Sequence, residues 1–73
     1  MDKHQKIVSA LVQWDEKESK KKGHNPRFLG IALVSLHSVE EENPDYTAEQ
    51  LASEAFCGRC LDFVLKSIQE QGH

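Results

Sequence analysis

Hydrophobic residues follow one another most densely between Phe28 and Leu36, near the middle of the chain. Treated as a helix, this run places apolar side chains over most of the helix surface, and only Gly30, His37 and Glu41 mark a polar side. A helix that is apolar nearly all round is usually buried. A chain of 73 residues has little material with which to cover one. The pattern therefore predicts that the rest of the chain, or a second molecule, packs against this helix.

The two residues before this run favour a helix over a strand. Asn25 belongs to a residue type preferred as an N-cap, and Pro26 would occupy the first helical position, where a missing N–H costs nothing. A strand stays an alternative because a short apolar run is ambiguous by periodicity alone. The run ends in three glutamates at positions 40–42, which a helix C-terminus disfavours. We expect lysines of the preceding helix to offset them if the two helices lie antiparallel.

The segment before the apolar run predicts a helix from about Lys3 to Lys22. Asp2 and Gln5 form a start that resembles a capping box, and the apolar positions that follow recur at helical spacing. Gly23 is a suitable residue to end this helix.

The last segment predicts a third helix whose apolar face changes near Gly58. Thr47 and Gln50 form a second start that resembles a capping box. The apolar residues after Gly58 lie on nearly the opposite side from those before it, so this helix either meets different neighbours along its length or bends there. The expected fold is all-α, with three helices in a single domain over residues 1–73.

The supply of apolar side chains also predicts a homodimer. Monomers rarely expose large contiguous apolar patches, and a two-fold dimer is the commonest way to cover one. We expect the interface to combine side chains of the central run with side chains of the third helix: Phe28, Leu29, Leu33, Leu36, Phe56 and Phe63.

Composition and charge narrow the class of function. The net charge of −3 provides no basic field for nucleic acid. The chain has no apolar span long enough to cross a membrane and no signal peptide, so we expect a cytoplasmic protein with reduced thiols. No grouping of serine, histidine and acid suggests nucleophilic catalysis. The sequence therefore predicts a protein that is not an enzyme and carries no cofactor.

A basic cluster between positions 17 and 27 offers nucleic-acid binding as an alternative. Its phosphate contacts would fall on Lys20, Lys21, Lys22 and Arg27, with Lys17 and His24 nearby. Intervening glutamates and the acidic remainder of the chain weaken this field, so a solvated helix end is the favoured interpretation.

Cys57 and Cys60 stand three positions apart, a spacing that suits zinc binding or thiol exchange. A structural zinc site needs further ligands, and none of the histidines are spaced as a ligand pair: His4, His24, His37 and His73. A redox pair is expected at the start of a helix, within a fold that contains a sheet, whereas this pair falls inside a predicted helix. We favour two small core residues and keep a zinc or redox role as a second alternative.

The stretch from Thr47 to Ala52 resembles the opening helix of a helix-turn-helix motif. Phe56 stands where that motif usually has its turn glycine, and no polar recognition helix follows. We therefore interpret the stretch as an N-capped amphipathic helix.

Three stretches together carry a broader resemblance: Val8–Trp14, Phe28–Leu36 and Cys57–Cys60. In these, the chain resembles the small helical accessory proteins that lambdoid bacteriophages encode between their recombination and excision genes. The resemblance implies a nonessential early protein that modulates the host or the choice between lysis and lysogeny. It implies no catalytic residue. The surplus of apolar side chains and the lack of catalytic groupings favour a protein-interaction module or small regulator that docks on a host or phage protein.

Overall fold

Four helices form the part of the chain that the computed structural model describes, residues 2–71. They are α1 (Lys3–Glu18), α2 (Phe28–Glu42), α3 (Ala48–Ala55) and α4 (Gly58–Gln71), and no strand occurs in this part. The all-α prediction is confirmed. The expectation of three helices is wrong, because the predicted third helix is two separate helices, α3 and α4.

The first helix starts where the sequence predicts and stops earlier. The Asp2 carboxylate accepts a hydrogen bond of 2.8 Å from the backbone N–H of Gln5, which caps the start of α1. The helix ends at Glu18 rather than Lys22. Residues 19–22 are nearly all charged and exposed, so no packing stabilises a further helical turn there. Gly23 then takes a left-handed conformation (φ 88°) that directs the chain toward α2.

The second helix confirms the choice of helix over strand but begins at Phe28, two residues after the predicted first position. The side-chain oxygen of Asn25 accepts a hydrogen bond of 2.9 Å from the backbone N–H of Arg27. Asn25 and Pro26 therefore form a turn before the helix, a local arrangement that asparagine side chains favour. Arg27 occupies the N-cap position without a side-chain capping bond.

The acidic end of α2 meets the beginning of α1. The Oε1 atom of Glu40 lies 2.6 Å from Nδ1 of His4, and Nζ of Lys3 donates to the backbone oxygens of Pro44 (2.7 Å) and Tyr46 (2.6 Å). An antiparallel neighbour brings its first turn, not its last, to the end of α2. The predicted compensation by the lysines at the far end of the first helix is therefore wrong.

The break between α3 and α4 explains the change of apolar face. The Thr47 hydroxyl and the Gln50 side chain form the predicted capping box, with hydrogen bonds of 3.2 and 2.9 Å. Phe56 ends α3 in an extended conformation and buries its ring, and Gly58 follows with φ 65°, which glycine adopts without steric cost. The redirected chain lets α4 pack mainly against α1, while α3 packs mainly against α2.

All four helices contribute to one core. Its residues with no exposed surface are Ile7, Ala10, Leu11, Leu36, Leu51, Ala52 and Val64. None of the four described helices combines the length and apolar character that crossing a membrane requires.

We predict that Leu36→Ala lowers the free energy of unfolding by about 2–5 kcal/mol, because it leaves a cavity in the core. Val34→Ala, two positions away on a side chain that is 71% exposed, is the matched control and should change it by less than about 0.5 kcal/mol. Urea denaturation followed by Trp14 fluorescence at submicromolar protein measures both values. A Leu36→Ala loss that appears only at high protein concentration would contradict the core position.

Candidate interaction surface on α2

A stripe with an apolar centre and polar ends runs along the solvent side of α2. Ile31 is 61% exposed and Val34 is 71% exposed, although both are large aliphatic side chains. Gly30 is exposed beside them, and a Cβ atom added there would meet nothing within 4 Å. The exposed residues spaced three or four positions apart on this side define the α2 stripe: Arg27, Gly30, Ile31, Val34, His37, Ser38 and Glu41.

The other side of α2 packs into the core. Ala32 and Leu36 are buried, and Leu29 and Leu33 are partly buried against the same core. The helix thus carries apolar side chains on two sides, and α1 and α3 cover one of them. This explains why its sequence looks apolar over most of the helix surface.

Two shallow depressions involve residues of the α2 stripe. One lies on the stripe itself, at the start of the helix, and is lined by Pro26, Arg27, Gly30, Ile31 and Val34. The other is a groove between α2 and the α3–α4 junction, lined by Phe28, Ile31, Ala32, Ser35, Ala55, Phe56, Cys57 and Cys60. Helices pack against one another by inserting side chains into such depressions.

None of the six residues predicted for a dimer interface belongs to the α2 stripe, although Phe28 and Phe56 line the groove beside it. Leu36 and Phe56 are buried within the monomer, so a partner cannot reach them in this conformation. Phe28, Leu29 and Leu33 are partly buried, and the Phe63 ring is tilted against Trp14 with centroids 5.5 Å apart. Ile31 and Val34 were not among the predicted interface residues. The sequence feature that could have indicated their side of α2 is the seven-residue spacing of Arg27, Val34 and Glu41, which puts charged residues at both ends of one helix face.

The cysteine pair lies at the start of α4, and not in the middle of a helix as the sequence predicted. Cys57 is exposed just before the helix, and Cys60 is buried in its first turn. Burial, with a smaller contribution from neighbouring Cys57, raises the pKa of the Cys60 thiol to about 11. A thiol that stays protonated is a poor nucleophile and a poor metal ligand. The interpretation of both cysteines as core residues is confirmed for Cys60 and wrong for Cys57.

The three described histidines do not form a metal site with the two cysteines. His4, His24 and His37 lie within 2.6, 3.3 and 2.9 Å of the carboxylates of Glu40, Asp15 and Glu41, respectively. His73 lies outside the described residues. Within residues 2–71, no three histidine, cysteine or acidic side chains are grouped so that they could hold a metal ion.

Two lysines of the predicted basic cluster contact groups within the protein. Nζ of Lys17 lies 5.6 Å from the centroid of the Phe63 ring, and Nζ of Lys21 lies 3.0 Å from Glu18. Lys20, Lys22 and Arg27 are exposed. In a helix-turn-helix motif, α4 would be the recognition helix. Its exposed residues are polar and carry both signs of charge, which does not suit a DNA backbone: Arg59, Asp62, Lys66, Gln69 and Glu70.

Comparison with known proteins gives no relative for this chain. None of the family models, curated proteins or solved structures compared with it matches. We therefore infer its function from its own residues and geometry.

We predict that iodoacetamide modifies Cys57 but not Cys60 in the folded protein at pH 9, because the Cys60 thiol is buried and protonated there. Mass spectrometry should find one modified cysteine in the folded protein and two in urea. Equal modification of both cysteines in the folded protein would contradict the prediction.

The raised pKa of Cys60 also predicts how stability depends on pH. The unfolded thiol loses its proton near pH 9.0 and the folded one near 11. The contribution of Cys60 to the free energy of unfolding is therefore complete below pH 9 and is lost as the pH rises to 11. Urea denaturation between pH 8 and 11 should show this loss in the unchanged chain and a smaller one in Cys60→Ala.

Proposed function

We propose that this chain is a non-enzymatic protein-interaction module that presents the α2 stripe to another polypeptide. The exposure of Ile31 and Val34 carries the proposal, because both lie on a helix whose opposite side already fills the core. Single exposed aliphatic residues are ordinary, but neighbouring ones with polar residues around them mark interaction surfaces. Covering apolar surface favours association, and the entropy lost on binding offsets a large part of that gain.

The Cys60 thiol is buried with a raised pKa, which makes it unsuited to nucleophilic chemistry at neutral pH. We further propose, from the resemblance to lambdoid phage accessory proteins alone, that the module acts as an early regulator.

Photo-crosslinking tests the proposal. With p-benzoylphenylalanine in place of Val34, irradiation of the cells that produce the protein should yield a covalent adduct with another polypeptide chain. The same group in place of Gln69, which is exposed on α4, is the control and should yield none. Adding Ile31→Lys to the Val34 variant should suppress its adduct, because a charge in the apolar interface resists desolvation. No adduct from position 34, or equal adducts from both positions, would overturn the proposal.

Binding of single-stranded nucleic acid is a second candidate, favoured by one observation. A surface groove of about 390 Å³ is lined by cationic and aromatic side chains together with one glutamate: Lys21, Lys22, Arg59, Trp14, Phe28 and Glu18. Cationic side chains beside aromatic rings are the arrangement that binds phosphates and stacked bases. The net charge of −3 works against this binding.

The single tryptophan, Trp14, reports on this groove directly. The interaction proposal predicts no saturable change of its fluorescence when single-stranded DNA is added at low salt. A saturable change that reversal of Lys20, Lys21 and Lys22 abolishes would establish the second candidate. Lys22→Glu and Lys66→Glu form a matched pair, since both remove an exposed lysine but only Lys22 lines the groove.

A further inference from the structure

The α2 stripe carries opposite charges at its two ends. Arg27 stands at its beginning, Glu41 stands near its end, and Val34 lies midway, seven residues from each. Seven residues are close to two helical turns, so the three side chains project from nearly one line along the helix. All three are exposed, and the Glu41 side chain is 69% exposed.

Such a stripe is complementary to itself when it is turned end for end. In two antiparallel copies that cross at Val34, Arg27 of each copy stands opposite the partner's Glu41. The same rotation places Gly30 opposite the partner's Ser38. A two-fold axis repeats every such contact, so two ion pairs and two close approaches form at once.

We propose that a second copy of this chain binds the α2 stripe, with the two α2 helices antiparallel and crossing at Val34. This inference rests on the proposed interaction function and names its partner. A parallel pairing is disfavoured, because it would place Arg27 opposite the partner's Arg27 and Glu41 opposite the partner's Glu41, which are like charges.

The packing of the stripe suits close contact between the helices. Gly30 has open space around it, and Ser38 is small and exposed, so the two backbones can approach near both ends of the crossing. Val34 packs against its own symmetry copy, and Ile31 reaches the partner's Val34 and His37. The depression beside Gly30 receives side chains of the opposite helix, as ridges-into-grooves packing requires.

The terminal charges are available for pairing between copies. Among the ion pairs of residues 2–71, none involves Arg27, and Glu41 meets only the imidazole of His37, one turn earlier in the helix. An arginine and a carboxylate pair through two parallel hydrogen bonds, which fixes the register of the two helices as well as their direction.

The area of one helix face sets the expected affinity. Stable dimers usually bury about 800 Å² on each partner, and a stripe of three to four turns covers less. We therefore expect dissociation in the micromolar range, which fixes the protein concentrations at which dimers are sought.

Charge reversal tests both the partner and the register. Sedimentation equilibrium at micromolar protein should show a dimer for the unchanged chain. Arg27→Glu and Glu41→Arg should each weaken it about tenfold, because each single change replaces two attractive pairs with two repulsive ones. The double variant, which keeps the net charge, should restore the dimer to within about threefold of the unchanged chain. Glu54→Arg, the same charge change on exposed α3, is the matched control and should leave it unchanged.

The alternative outcomes separate this inference from the proposed function. If neither single change raises the dissociation constant of the dimer, or if the double variant does not restore it, the antiparallel register is overturned. A monomer at all concentrations overturns the second copy as partner. The photo-crosslink at position 34 then decides the broader proposal, since an adduct of twice the 8.3 kDa chain mass marks a second copy and any other mass marks a different protein. Thermal unfolding of every variant confirms that each is folded.

Discussion

The surface of this molecule depends on one constraint: α2 is apolar on two sides, and only α1 and α3 of the described helices pack against it. Ala32 and Leu36 fix one side in the core, where α1 and α3 cover them. A small domain cannot enclose a central helix completely, since it buries a smaller fraction of its surface than a large one. The side that carries Ile31 and Val34 stays in solvent, because the described helices leave it uncovered.

The sequence predicts the elements of this fold better than their connections. The caps at Asp2 and Thr47 are local signals, because each depends on a side chain and an N–H three residues later, and both were predicted. The end of α1 was missed because charged residues at 19–22 keep good helix propensity, and only the absence of packing stops the helix. At Phe56 and Gly58 the sequence predicted either a bend or one continuous helix with different neighbours, since the change of apolar face does not say how sharply a chain turns.

The interaction surface could not be read from hydrophobicity alone. A helix with apolar residues on every side gives no indication of which side the chain covers, so the predicted interface included Leu36 and Phe56, which the core uses. The surroundings of the cysteine pair could not be predicted from the sequence either. Its spacing was evident, but its position at the start of α4 and the burial of Cys60 depend on where the preceding helix ends.

The pairing of the first helix with the last has a consequence for the order in which the protein folds. α4 is the main neighbour of α1, and the Gln71 side chain donates a hydrogen bond of 3.4 Å to the backbone oxygen of Lys6, across 65 positions of sequence. Contacts between distant parts of a chain form slowly, because the intervening loop must close first. During synthesis α2 and α3, which are adjacent in sequence, can pair early. Of the four described helices, α1 is synthesised first and gains its main neighbour, α4, last.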